Sequence, residues 1–115
     1  MIINYSKIIS DKIIPYIESK GFTVVNFSDE IPKDVAGQIR YDKKEIHTNV
    51  GSAEGAMYTL IHEVGHMLSY FDLFVGQNKS QNEVGDREVL AFEYGWKFIQ
   101  ELELEISEDE WKANC

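Results

Sequence analysis

The chain is short of several things that a small protein often relies on. It has one cysteine, Cys115, so no disulfide can close within it, and a reducing compartment is the expected home. It has 11 Lys+Arg against 20 Asp+Glu, a net charge of −9. That shortage of cations argues against nucleic acid as a direct partner, because phosphate contacts need them. No apolar run approaches the roughly 20 residues that a spanning helix requires. The stretch Met1 to Lys7 has no basic region leading into a long apolar one, so the expectation is a cytoplasmic protein with no membrane partner. Repeats and low-complexity segments are absent. At 115 residues the chain is expected to form one domain around a single core, too short to add a separate specificity domain.

Histidine is scarce as well, at three residues, yet two of them fall in one string, His62-Glu63-Val64-Gly65-His66. On a helix, residues i and i+4 stand one above the other, so His62 and His66 would present two imidazoles to one point, as a zinc clamp does. Glu63 is the next residue round and is positioned as general base on zinc-bound water without being a ligand. The flanks support a helix with one core face: Ala53, Met57, Leu60, Ile61, Val64, Leu68 and Phe71 gather on the side opposite His62. Ser52 is the natural N-cap.

Upstream, Ile8, Ile9, Ile13, Ile14 and Ile17 have helical spacing, with Gly21 as a stop and Pro15 forcing a kink or a fresh start. Phe22 to Phe27, Gly37 to Tyr41 and Glu45 to Asn49 read as strands, with Asp42-Lys43-Lys44 as a turn between the last two. Alternation puts Ile46 and Thr48 on one face of the third strand and His47 on the other. A lone His there reads as a surface or hydrogen-bonded residue rather than a ligand. The exposed side of this strand is a candidate edge for an extended substrate.

Downstream, Gly76 to Asp86 is polar and reads as a surface loop, either a plain connector or a lid. From Asp86 to Ile106 the pattern is helical. Phe92, Trp96, Phe98, Ile99, Leu102 and Ile106 surround Glu88 on the wheel, while Glu93, Lys97, Gln100 and Glu101 lie opposite. A carboxylate centred on an apolar face needs a partner, and a metal held by the two histidines is the best one available. The plain alternative is a first-turn Glu favoured by the helix dipole. Ala91 and Gly95 are small residues that would let this helix approach the His helix. Asp72, ten residues after His62, is a rival third ligand, but that pattern wants Gly where Ser69 stands. Six acids crowd the ten residues Glu101 to Glu110, most simply a solvated helix face. Ser107 and Glu110 form a capping box, with Ile106 and Trp111 at staple spacing.

Taken together, the strand ending Ile46-His47-Thr48-Asn49, the run Leu60 to His66, and Glu88-Val89-Leu90-Ala91 with Gly95 resemble the ImmA/IrrE family of small gluzincin-like metallopeptidases, over roughly residues 37–99. The resemblance implies zinc bound by His62, His66 and Glu88, with Glu63 activating the water. It also implies a protein or peptide substrate of the transcriptional-regulator class, in a setting of phages or other mobile elements. Phe92 departs from the family's usual Asn, and the acidic segment replaces its usual tail.

The expected fold is α+β, a minimal zincin-like domain: an N-terminal helix, a small mostly antiparallel sheet, the His-Glu-x-x-His helix and a following helix that bears Glu88. The expected function is zinc-dependent hydrolysis of peptide bonds in a protein substrate. Tyr58, Tyr70, Tyr94, His47 and Arg87 are candidate oxyanion donors. The alternative is a non-catalytic zinc-containing interaction protein acting through its acidic C-terminal surface.

Overall fold

The computed structural model of the protein describes residues 4–79 and 86–114. The elements in chain order are α1 (Tyr5–Ile8), a π-helical segment (Ile9–Ile13), α2 (Ile14–Ser19), β1 (Thr23–Asn26), β2 (Gly37–Arg40), β3 (Glu45–Thr48), α3 (Ala53–Ser69), a second π-helical segment (Tyr70–Gly76), α4 (Arg87–Glu101) and α5 (Glu108–Asn114). This is an α+β chain. Among the described residues no helix is long and apolar enough to cross a membrane. Backbone contacts divide the chain into two compact units, residues 1–60 with Asn114, and residues 61–113.

In the first unit, Pro15 dictates the form of the opening helix. Proline has no N–H, and its ring crowds the carbonyl one turn back. The chain opens to π spacing just before it, with Ile14 N–H reaching the Ile9 carbonyl, and Pro15 then occupies the first turn of α2. Gly21, at φ +84°, makes the turn that ends the helix. Helix α2 packs on β1, and Ile13, Ile17, Phe22, Ile31 and Ile46 are buried.

The sheet order is β1-β3-β2. β3 pairs antiparallel with β2 and parallel with β1, Thr23 lying opposite Glu45. The sheet is therefore mixed, not mostly antiparallel. The 41–44 turn folds β2 back on β3 as a hairpin, and β1 takes the other edge of β3, parallel to it. β3 is central, and Ile46, His47 and Thr48 are all buried. The expected exposed side of this strand does not exist: both of its edges are paired, one with β1 and one with β2, and Ser28 and Glu30 lie against His47.

Ser52 caps α3 through Gly55 N–H, at 3.1 Å. In the second unit, Ile61, Val64 and Met67 of α3 are buried. The expected core stripe stops short of Phe71, which is 41% exposed. There the backbone has widened to π spacing, Gln77 N–H bonding to the Asp72 carbonyl, and the change of pitch turns the ring outward. Gly76 closes this segment rather than opening a loop. Most of the stretch read as a lid or connector, residues 80–85, lies outside the described residues.

Helix α4 ends at Glu101, not Ile106. Glu103 N–H bonds to Gln100 O and Leu104 N–H to Ile99 O, the paired bonds of a Schellman stop. Glu103 takes the left-handed position at φ 54°. Beyond it Leu104 and Ile106 are buried while Glu101, Glu103 and Glu105 are exposed. Glu101, Glu103 and Glu105 thus alternate with apolar residues, while Glu108, Asp109 and Glu110 form the exposed first turn of α5. The capping box forms in both directions, Glu110 N–H to Ser107 Oγ at 3.1 Å and Ser107 N–H to Glu110 Oε1 at 3.3 Å. Trp111 is fully buried. It stacks on Phe92 and donates Nε1–H to the Phe92 carbonyl at 3.1 Å.

Candidate metal centre

The residues named from sequence come together in the second unit. His62 and His66 project from successive turns of α3, their rings edge to face with centroids 4.7 Å apart. Their Nε2 atoms are 3.1 Å from each other. Glu88 reaches both, Oε2 lying 3.1 Å from His62 Nε2 and Oε1 3.2 Å from His66 Nε2. On the helical wheel Glu88 falls at the centre of a buried face, but its side chain is 69% exposed. It sits in the first turn of α4, where residues 87–89 are exposed. The imidazoles hold it, and burial does not.

Two features of α4 fix that carboxylate. Asp86 caps the helix, accepting from Glu88 N–H at 2.7 Å. Ala91 and Gly95, both buried, let α4 lie against α3 at Gly65. A Cβ on Gly65 would stand 2.1 Å from the Ala91 carbonyl oxygen and 3.0 Å from Gly95 N, so only glycine permits this approach. Gly95 is similarly confined, with the Trp111 ring 2.6 Å from where its Cβ would be.

The donor set suits zinc. Two imidazole nitrogens and one carboxylate are borderline ligands of the kind zinc takes, and metal–donor distances of about 2.0–2.1 Å in a tetrahedron put neighbouring donors about 3.3 Å apart. The two imidazole nitrogens, 3.1 Å apart, lie near that edge; each faces a different oxygen of Glu88, and one donor atom from each of the three residues lies within 4.8 Å of the others. Burial, then the neighbouring His62 charge, push the His66 pKa down, opposed in part by Glu88. That direction favours the neutral imidazole, the form that a metal would require.

Glu63 is 5% exposed. Desolvation, reinforced by the Glu88 charge, raises its pKa to about 7. Asp72, the rival ligand, is engaged elsewhere and accepts a 2.5 Å hydrogen bond from the Tyr94 hydroxyl. That bond also occupies one of the candidate oxyanion donors. Burial, then the bond to Asp72, push the Tyr94 pKa up to about 12. Tyr70 stacks on Phe74. His47 is bonded through both ring nitrogens within the first unit.

Compared with known proteins, the chain matches no family model, no curated protein and no solved structure. Sequence reasoning missed the cap that orients Glu88, although an Asp two residues before a first-turn Glu was a usable signal. It also missed the partners of His47, which come from up to 19 residues away and leave no local trace.

Proposed function

We propose that the chain is a zinc-dependent metallopeptidase with a zincin-like arrangement, hydrolysing peptide bonds of a protein substrate. The observation that carries this reading is the meeting of His62, His66 and Glu88, one donor atom from each lying within 4.8 Å of the others, one residue from a buried carboxylate. His62 Nε2, His66 Nε2 and the Glu88 carboxylate would hold the ion. Zinc, when bound, supplies a Lewis acid that polarises the scissile carbonyl and brings the pKa of a water toward about 7.

The chain's own part is proton transfer and positioning. The Glu63 carboxylate takes a proton from the attacking water and returns it to the leaving amine nitrogen. Burial of Glu63 also limits competition from bulk water for that proton. Gly65 keeps α4 close enough for Glu88 to complete the donor set.

Elemental analysis of protein purified without added metal should give about one zinc per chain, lost in His62→Ala. Glu63→Gln should retain zinc and lose cleavage of a fluorogenic peptide library. Cleavage at the parental rate in Glu63→Gln would overturn the mechanism.

A second reading is an interaction protein that keeps the metal as scaffold. It is favoured by the exposure of Glu101, Glu103 and Glu105 beside a buried aliphatic row. Under it, partner capture would survive Glu63→Gln and weaken when those three charges are reversed. Under the peptidase reading, Glu63→Gln would instead trap a substrate.

A further inference from the structure

The first unit holds a cluster of a different chemistry, centred on His47, which is 1% exposed. Its Nδ1 lies 2.5 Å from Ser28 Oγ. Its Nε2 lies 2.9 Å from Glu45 Oε1 and 3.5 Å from Glu30 Oε2. An ionised carboxylate only accepts hydrogen bonds, so in the neutral imidazole Nε2 carries the hydrogen and donates it to Glu45. Nδ1 is then the acceptor, and the Ser28 hydroxyl donates to it. The order hydroxyl, imidazole, carboxylate is that of a serine nucleophile with its base and orienting acid, with the two ring nitrogens exchanged.

Three further contacts hold the set in place. Glu30 N–H donates to Ser28 Oγ at 3.1 Å, fixing the oxygen while leaving it a second lone pair. The Lys43 ammonium, 3.1 Å from Glu30 Oε1, holds the Glu30 carboxyl below its usual range. Arg40 lies on the same carboxylate. An imidazolium formed at His47 would therefore face the carboxyl groups of both Glu45 and Glu30.

Ser28 also lines an open cavity of about 390 Å³, together with Phe27, Asp29, Ile31, Lys33 and Asn49. That volume falls within the range of small-molecule sites, about 300–1,000 Å³. Phe27, immediately before the serine, is 67% exposed and held at φ 53°. An exposed aromatic ring in a left-handed backbone is an uncommon arrangement, and such conformations concentrate at functional sites. Lys33 supplies the one positive charge among the six lining residues.

We infer that Ser28 is a nucleophile toward small carboxylic esters with an apolar acyl group, with His47 as its base and Glu45 as a positioning carboxylate. Ser28 Oγ bonds to the acyl carbon while its proton passes to His47 Nδ1. The bond to the leaving oxygen breaks, and the Nδ1 proton goes to that oxygen, releasing the alcohol. Water then adds to the acyl-Ser28 ester by the same route, releases the carboxylic acid and restores the hydroxyl. Phe27 offers apolar surface for the acyl group.

The test uses the full chain, a fluorophosphonate and p-nitrophenyl butyrate, with intact-mass measurement and peptide mapping. Mapping separates this site from any hydrolysis at the metal centre. Ser28 should carry the adduct, formed at least tenfold faster than on any other serine, and Ser28→Ala should abolish it. His47 is buried and its replacement risks the fold, so the relay is tested by Glu45→Gln with an unchanged circular dichroism spectrum. Labelling should slow tenfold or more, and the acid limb of the pH–rate profile should move to lower pH, because the imidazolium has lost a counter-charge. An unlabelled Ser28, or labelling no faster than at other serines, would overturn the inference. Parental rate and profile in Glu45→Gln would overturn the relay.

Discussion

Replacing Gly65 by alanine would separate metal binding from helix formation. The added methyl would meet the Ala91 carbonyl oxygen at 2.1 Å and its carbon at 2.9 Å. Carbon–oxygen contacts normally begin beyond about 3 Å, and both offending atoms are backbone, so α4 has to retreat by about 1 Å. Glu88 lies one turn before Ala91 and would be carried along. Metal–ligand distances tolerate about 0.2 Å, so the carboxylate would leave the donor set or bind strained. Overpacking costs about 1–3 kcal/mol, offset by about 1 kcal/mol of helix propensity gained when glycine becomes alanine. Thermal stability of the metal-free protein should thus fall by no more than about 2 kcal/mol. Zinc affinity, measured by competition with a chromophoric chelator, should fall at least tenfold, about 1.4 kcal/mol. Gly51→Ala is the matched control, since nothing stands within 4 Å of a Cβ there, and it should leave affinity unchanged. Parental zinc affinity in Gly65→Ala would refute the claim that this approach positions Glu88.

Three further outcomes are expected. In metal-free protein the Glu63 pKa is raised from 4.5 to about 7, so the folded state holds its proton more tightly than the unfolded one. This contribution is fully present below pH 4.5 and is lost as pH rises through 7. The stability advantage of Glu63→Gln over the parent, from chemical denaturation, should grow between those limits to roughly 3 kcal/mol. Asp72→Asn should lower the Tyr94 pKa from about 12 in an ultraviolet titration, though not to the free value because burial remains, and should leave zinc content unchanged. Glu103→Gly, at φ 54°, should raise stability by about 0.5–1 kcal/mol by relieving a left-handed conformation that L side chains resist.

The histidine pair was legible because its geometry is local: four residues of helix bring His62 over His66 whatever the rest of the chain does. Glu88 was legible for a partly mistaken reason, since the wheel shows direction but not how far a first turn projects beyond the core. The strands could be placed from β-branched runs and turn residues, but the parallel pairing of β1 with β3 depends on partners 22 residues apart. The end of α4 was hidden because Glu103 adopts a glycine-like conformation without being glycine. The alternation Glu101-Leu102-Glu103-Leu104-Glu105-Ile106 nonetheless carried a period of two, and the structure follows it after the helix stops. The polar partners of His47 were invisible because a hydrogen bond between distant side chains has no periodicity to betray it.

The central place of β3 bears on the order in which this protein can be made. β1 is synthesised first among the strands and finds no neighbour in β2, which pairs only with β3. A growing chain must therefore keep Thr23–Asn26 unpaired until Glu45–Thr48 has emerged. The 41–44 turn closes a hairpin at low entropic cost, whereas docking β1 requires a loop of 22 residues to close. Assembly then runs from the hairpin outward, with the earliest strand joining last. Until then the apolar stretch Phe22 to Phe27 is exposed to any other chain that offers it an edge.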